Sequence, residues 1–343
     1  MDPATRAHVK GLVADHQTNA GRSLSELMKT QEILKGAESQ RLRTFFTSNC
    51  MEPGRDLDAY GVFLANGDLA QVKDDFASRV ARHAATASDS ETPAPGPSTR
   101  TNEPAAQLTP EAAAAQELYA LTWGPTVVRI YGLLGLLRII YPGRAAQHLA
   151  VARFLIDTAK VPVDGPDLSG TLALSHAIST KPALDFEYAQ LLYDAGGDVN
   201  NRNRYGGTAA HEIAQIWTPQ DKSVVARATS AFKWFLDHGG NVDIADSDGM
   251  TVRYMTSRTE SLVPGLSALV AASDRDRTRG ECCALCGRTA DETMKRCARC
   301  KVARYCAPDV RACQKIDWPH HKKGCVKVAE VAKEGFSFLG TKF

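Results

Sequence analysis

Nine cysteines occur in 343 residues, and eight of them fall between Cys282 and Cys325; the ninth, Cys50, lies far away in the N-terminal part. In order, the cluster reads Cys283-Ala-Leu-Cys286, Cys297-Ala-Arg-Cys300, Tyr305-Cys306, Cys313-Gln314, and finally Asp317-Trp318-Pro319-His320-His321-Lys322-Lys323-Gly324-Cys325. Cys-x-x-Cys is the shortest turn that aims two thiolates at one ion, and zinc completes a tetrahedron with four sulfur or nitrogen donors. Four ligand pairs therefore predict two closed zinc sites with no position left for water. A segment this short cannot build a self-sufficient core, so metal has to supply what burial does not.

Tyr305, Gln314, Asp317, Trp318 and Lys322 stand among these ligands in a recognisable order, and the whole of 281–325 resembles the MYND zinc finger. The resemblance implies a cross-braced module with two Zn2+ per chain. Cys283, Cys286, Cys306 and Cys313 would hold one ion, and Cys297, Cys300, His321 and Cys325 the other. Two features depart from the family pattern. Six residues, 307–312, separate Cys306 from Cys313 where three are usual, so a lengthened loop has to absorb the excess. A doublet, Cys282-Cys283, opens the finger; Cys283 has the x-x spacing, and Cys282 stays outside the ligand set. Of the two neighbouring histidines, His321 keeps the family's three residues before Cys325. Fingers of this family bind short proline-containing peptides, which implies peptide contacts at Gln314 and Trp318. For Trp318, packing in a small core accounts for the residue equally well.

Composition sets the broader frame. Apolar residues make up 43% and charged residues 23% of the chain, with a net charge of +2, the balance of an ordinary globular protein that calls for neither nucleic acid nor membrane. The N-terminus reads as neither a secretory signal nor a myristoylation site. The most apolar run, Val127 to Tyr141, carries Arg129 and Arg138 and is too short to span a bilayer, so a buried helix is expected there. An intracellular location follows, nucleus or cytoplasm, with thiols kept reduced for metal.

Ahead of the finger the chain reads as mostly α. Residues 1–83 form an N-terminal helical region, with one helix through Arg6 to His16 and another through Leu24, Leu27, Met28, Ile33 and Leu34. Within it, 56–83 holds a helical hairpin turning at Asn66-Gly67-Asp68, a candidate degenerate ankyrin pair. Residues 84–110, rich in Pro, Ala and Ser, lack an apolar period and read as a disordered linker. Residues 111–273 contain an internal repeat. Val163, Val199 and Val242 each precede, by seven residues, Gly170, Gly206 and Gly249, with Asp167, Asn203 and Asp246 between. Apolar patches precede each valine, and two of them end in Asp194-Ala-Gly-Gly-Asp-Val-Asn and Asp237-His-Gly-Gly-Asn-Val-Asp. This resembles the ankyrin repeat, in an irregular stack because successive valines are 36 and 43 residues apart against a usual spacing of about 33. The helices of 113–157 are expected to cap it. A charged hinge at 274–280 leads into the finger, and 326–343 is a tail that continues as a short amphipathic helix.

Saturated metal sites argue against catalysis, since hydrolytic zinc needs an open position. No nucleophile elbow, metalloprotease helix or phosphate-cradling loop occurs either. His211 and His176 read as structural histidines of the repeat. The finger carries ten Lys/Arg against five Asp/Glu, but seven thiolates and two dications bring it to about +2, and no closely spaced basic helix with base-reading amides is present. The expectation is a non-enzymatic adaptor. It would bind protein partners through the repeats and proline-containing peptides through the finger, with transcriptional regulation as one setting. The alternative is a nucleic-acid-associated regulator using the basic rim of the finger. A RING-type ubiquitin ligase ranks last, for want of its central Cys-x-His-x-x-Cys.

Overall fold

The computed structural model describes residues 21–89, 108–179, 184–279, 282–284, 294–305 and 313–325. These form two compact units: one comprises residues 1–177 and 181–206, the other 178–180 and 207–343. The expected helix at Arg6–His16, the core of the linker and the tail after Cys325 lie outside the described residues.

In the first unit, α1 (Leu24–Leu27) and α2 (Gly36–Ser48) lead through the short α3 (Pro53–Asp56) into the predicted hairpin, α4 (Ala59–Asn66) and α5 (Leu69–Asp89). Gly67 closes α4 at φ 67°, a left-handed angle that a side chain would resist. Asp58 caps α4 on the Gly61 N–H at 2.7 Å and accepts Trp123 Nε1–H at 2.9 Å. Then come α6 (Pro110–Ala120), α7 (Ile130–Ile140), α8 (Ala145–Asp157), α9 (Ala173–Ile178) and α10 (Phe186–Asp194). Both ends of the stretch expected to be linker, 84–89 and Pro110, are helical. Helix α5 runs on to Asp89, and Thr109 caps α6 with Pro110 in its first turn, where a missing N–H costs nothing.

A second correction concerns Leu24 to Leu34. Their helical spacing predicts one continuous helix; the chain instead leaves the helix after Leu27 and re-enters it at Gly36. Arg204 binds the stretch between the two helices. Its Nη2 donates to Leu27 O (2.8 Å) and Thr30 Oγ1 (2.9 Å), its Nε to Glu32 O (3.4 Å), and its own carbonyl accepts the Leu34 N–H at 2.7 Å. These bonds hold residues 28–34 along the second glycine turn in a non-helical path.

The repeat is visible in its turns. The N–H groups of Gly170, Gly206 and Gly249 each bond the carbonyl three residues back, on Asp167, Asn203 and Asp246, whose side chains accept further turn N–H groups at 2.8–3.0 Å. All three glycines have φ near +80°. Val163, Val199 and Val242 are buried, and helices begin at Ala173, Ala209 and Val252, ten residues after each.

The structure adds a repeat that the sequence conceals. Val127 has φ 57°, donates its N–H to Gly124 O at 3.1 Å, and stands three residues before α7, as each glycine stands before its helix. Residues 123–157 are thus a further turn and helix pair on the same frame, rather than a plain cap. Adjacent turns bond in succession, Leu168 N–H to Thr126 O (2.9 Å) and Arg204 N–H to Ser169 O (2.7 Å). Between helices, Tyr188 is fully buried and gives its hydroxyl to Tyr131 O at 2.7 Å, while Tyr131 gives its own to Val161 O at 2.9 Å. The apolar run from Val127 includes α7, as expected. Its charge, Arg138, is buried and paired with Asp185 at 2.6 Å.

The second unit holds α11 (Ala209–Ala214), α12 (Lys222–Asp237), α13 (Val252–Arg258) and α14 (Pro264–Arg279). Residues 215–221, including Trp217 at 76% exposure, form the loop that lengthens this repeat. His211 has the expected structural role. Its Nδ1 accepts the Thr208 N–H at 3.0 Å, so Nε2 carries the proton and donates to Met250 O at 3.1 Å, tying its own turn to the next. His176 instead pairs within its own repeat, Nε2 to Asp167 Oδ2 at 2.8 Å. The predicted hinge is corrected too: α14 continues through the charged stretch to Arg279. Asp274 is gripped there by Arg253 at 2.6 Å, and Arg253 also holds Asp243.

Candidate metal centre

Two short strands, β1 (Lys295–Arg296) and β2 (Arg304–Tyr305), pair antiparallel, with Lys295 opposite Tyr305. Between them the chain makes a tight knuckle. The Lys301 N–H bonds Cys297 O at 2.9 Å with Lys301 at φ 60°, and the Cys297 N–H bonds Ala303 O at 2.7 Å. This turn aims Cys297 and Cys300 in one direction. Helix α15 (Cys313–Gly324) supplies the opposite wall, with His321 in its last turn and Cys325 just past its end.

These four residues converge. One donor atom from each of Cys297, Cys300, His321 and Cys325 lies within 4.8 Å of every other. Cys297 Sγ and Cys325 Sγ are 3.8 Å apart, and Cys300 Sγ and His321 Nε2 are 3.6 Å apart. Bonds of about 2.3 Å to sulfur and 2.0 Å to nitrogen give tetrahedral edges of about 3.5–3.8 Å. The donor set and its dimensions therefore fit a zinc ion held entirely by protein. The three cysteines are buried and the imidazole is half-buried, with the Tyr305 ring edge-on to it at 6.0 Å and the Trp318 ring tilted at 6.0 Å.

The electrostatics point the same way. Burial opposes ionisation of Cys297, but the N–H groups of Cys300 and Arg299 and contacts with His321 and Cys300 bring its thiol down to about 6. Cys325 is pushed up to about 11, first by burial and then by the sulfurs of Cys297 and Cys300. Adjacent sulfurs resist a second negative charge, and a dication at their centre removes that conflict.

Of the other expected ligands, Cys283 and Cys313 are buried in the same small core as Tyr305, with Ala303 and Met294 packed around them. Cys283 bridges to Arg304, and the next N–H, that of Ala284, bonds Arg304 O at 2.8 Å. Cys286 and Cys306, the remaining members of that set, and the loop 307–312 lie outside the described residues. Cys282 is buried beside Cys283. Gln314 and Trp318 are both exposed and lie four residues apart, on one face of α15. At 38% exposure Trp318 both touches the metal-site histidine and faces solvent.

The family model described as MYND finger matches residues 283–325. This segment is a MYND finger. None of the curated proteins matches the chain. Among solved structures, it is similar to an ankyrin repeat domain from Acinetobacter baumannii AYE, with 17% identity and a TM-score of 0.34, over 63% of this chain and 98% of that one. An ankyrin repeat protein at 16% identity and a TM-score of 0.35 covers 47% of this chain and 74% of its own. In the sequence the repeated glycine turns described above precede the MYND finger. No helix among the described residues is long and apolar enough to cross a membrane.

Two features escaped sequence reasoning. The turn at Val127 carries valine where glycine marks the others. Arg204 gives no sign in the sequence that it is buried.

Proposed function

We propose that the chain is a non-enzymatic adaptor, which binds protein partners through its ankyrin-like repeats and short proline-containing peptides through its MYND finger. The observation that carries the proposal is the exposed pair Gln314 and Trp318, one turn apart on the helix whose end supplies His321 and Cys325. Metal thereby orders the peptide-facing helix without taking part in chemistry. The donor set at Cys297, Cys300, His321 and Cys325 is complete with four protein atoms, which supports a structural ion over a catalytic one. A second ion on Cys283, Cys286, Cys306 and Cys313 belongs to the same proposal.

A proline-peptide array probed with the full chain tests this. Trp318→Ala is expected to weaken captured peptides at least about tenfold, as loss of a central aromatic contact does, with zinc content unchanged. Captured binding should also barely respond to salt. A steep log-linear loss with salt would favour phosphate contacts and the nucleic-acid alternative.

A further inference from the structure

The turns of the repeat are not equally covered. Leu168 and Ser169 in the first glycine turn and 203–206 in the second are buried, whereas Asp248, Gly249 and Met250 of the third are exposed. What covers the first two is the chain's own N-terminal segment. Leu27, Leu34 and Leu42 form with Leu168 and Tyr205 a small apolar cluster of their own, flanked by Leu24, Phe45, Phe46 and Val127. Arg43 lies over the Tyr205 ring at 3.9 Å. Arg204 reaches from the second turn into the segment's carbonyls and also donates to Leu168 O at 3.2 Å. The third turn keeps the same hydrogen-bonded frame around Asp246 while exposed. Cover is therefore not what the turn needs in order to fold.

One detail of the cover leaves room for a stronger ligand. Among the described residues Arg204, at 2% exposure, finds three backbone carbonyls and one hydroxyl, with no carboxylate among its hydrogen-bond partners. A guanidinium forms stronger, two-point bonds with a carboxylate.

We propose that the tips of the first two glycine turns, with Arg204 at their centre, are a docking surface for a leucine-bearing segment carrying a carboxylate, and that residues 21–48 are a built-in strap competing for it. The strap organises itself: Arg22 holds Glu38 through two side-chain bonds, at 2.7 and 3.0 Å. It can therefore leave as a unit. The proposal deepens the reading of the repeats as a binding surface by giving the partner's chemistry and its control.

Hydrogen exchange on the full chain tests the strap without any partner, so its outcome is separate from that of the adaptor reading. Amides of 24–48 are expected to exchange at least about 100-fold faster than those of α7 and α8, through an opening short of global unfolding. Exchange of both sets in one cooperative step would overturn the proposal. A fluorescent peptide of residues 21–48 bearing Thr30→Asp serves as probe. It should bind the Leu27→Ala/Leu34→Ala chain at least about tenfold more tightly than the unaltered chain, and bind the Arg204→Met chain at least about tenfold more weakly than it binds the unaltered one. Equal binding to all three, or global unfolding of the double variant, would show the segment to be part of the core.

Discussion

At the scale of single residues, three positions carry sharp expectations. Gly240 ends α12 through its N–H bond to Phe235 O at 2.8 Å, and a Cβ there would sit 2.1 Å from the Phe235 ring. Gly240→Ala should therefore cost about 1–3 kcal/mol, as overpacking of a core does, seen as a lowered urea midpoint with unchanged slope. Its counterpart Gly249→Ala meets open space, and only its φ of 82° opposes a side chain; about 1–2 kcal/mol is expected there. His148 is the pH-sensitive position. It is fully buried, its Nε2 bonds Ala65 O at 3.1 Å, and burial, aided by Arg138 and Arg144, holds the imidazole below its ordinary 6.5. The native state then binds fewer protons than the unfolded chain, so stability is full above 6.5 and declines as the pH falls below it. Urea midpoints at a series of pH values should show that decline in the unaltered chain and a smaller one in His148→Gln. An equal decline in both would remove His148 as the cause.

At the scale of elements, the legible parts were those marked by residues with one physical use. Paired glycines at 196–197 and 239–240 close helices by the same two bonds, Gly196 N–H to Tyr193 O with Gly197 N–H to Leu192 O, and Gly239 N–H to Leu236 O with Gly240 N–H to Phe235 O. The sequence announces such closures. It hides the turn at Val127, because a β-branched residue in the left-handed region has no local signature; only neighbouring turns and packing hold it there. Periodicity misled at Leu24 to Leu34, where apolar spacing is helical but the stretch after Leu27 is bound to distant Arg204, a contact that no local pattern announces. A run of alternating charges misled at 274–279, since Asp and Arg sustain a helix once Arg253 anchors it. In the finger, Cys-x-x-Cys spacing marked Cys297 and Cys300 as a ligand pair, and the resemblance to the MYND finger grouped them with His321 and Cys325, which the structure brings together. Removing metal should then act on one element only. With a chelator, tryptophan emission from Trp318 and ordering of 294–325 should be lost while the thermal transition of the helical repeats stays in place. A shared collapse would mean that the finger supports the repeats.

For the whole molecule, a repeat whose first two glycine turns are covered by the chain's own N-terminal segment is followed in the sequence by a MYND finger. In the proposed adaptor both parts act as binding surfaces. What the account depends on most is that metal in this protein is structural and fully enclosed by protein donors. Native mass spectrometry of the purified chain, with X-ray absorption at the zinc edge, tests that directly. Two zinc ions per chain are predicted, falling to one in Cys297→Ser, with sulfur and nitrogen alone in the coordination shell. Fewer than two ions, or a solvent oxygen on either, would contradict it.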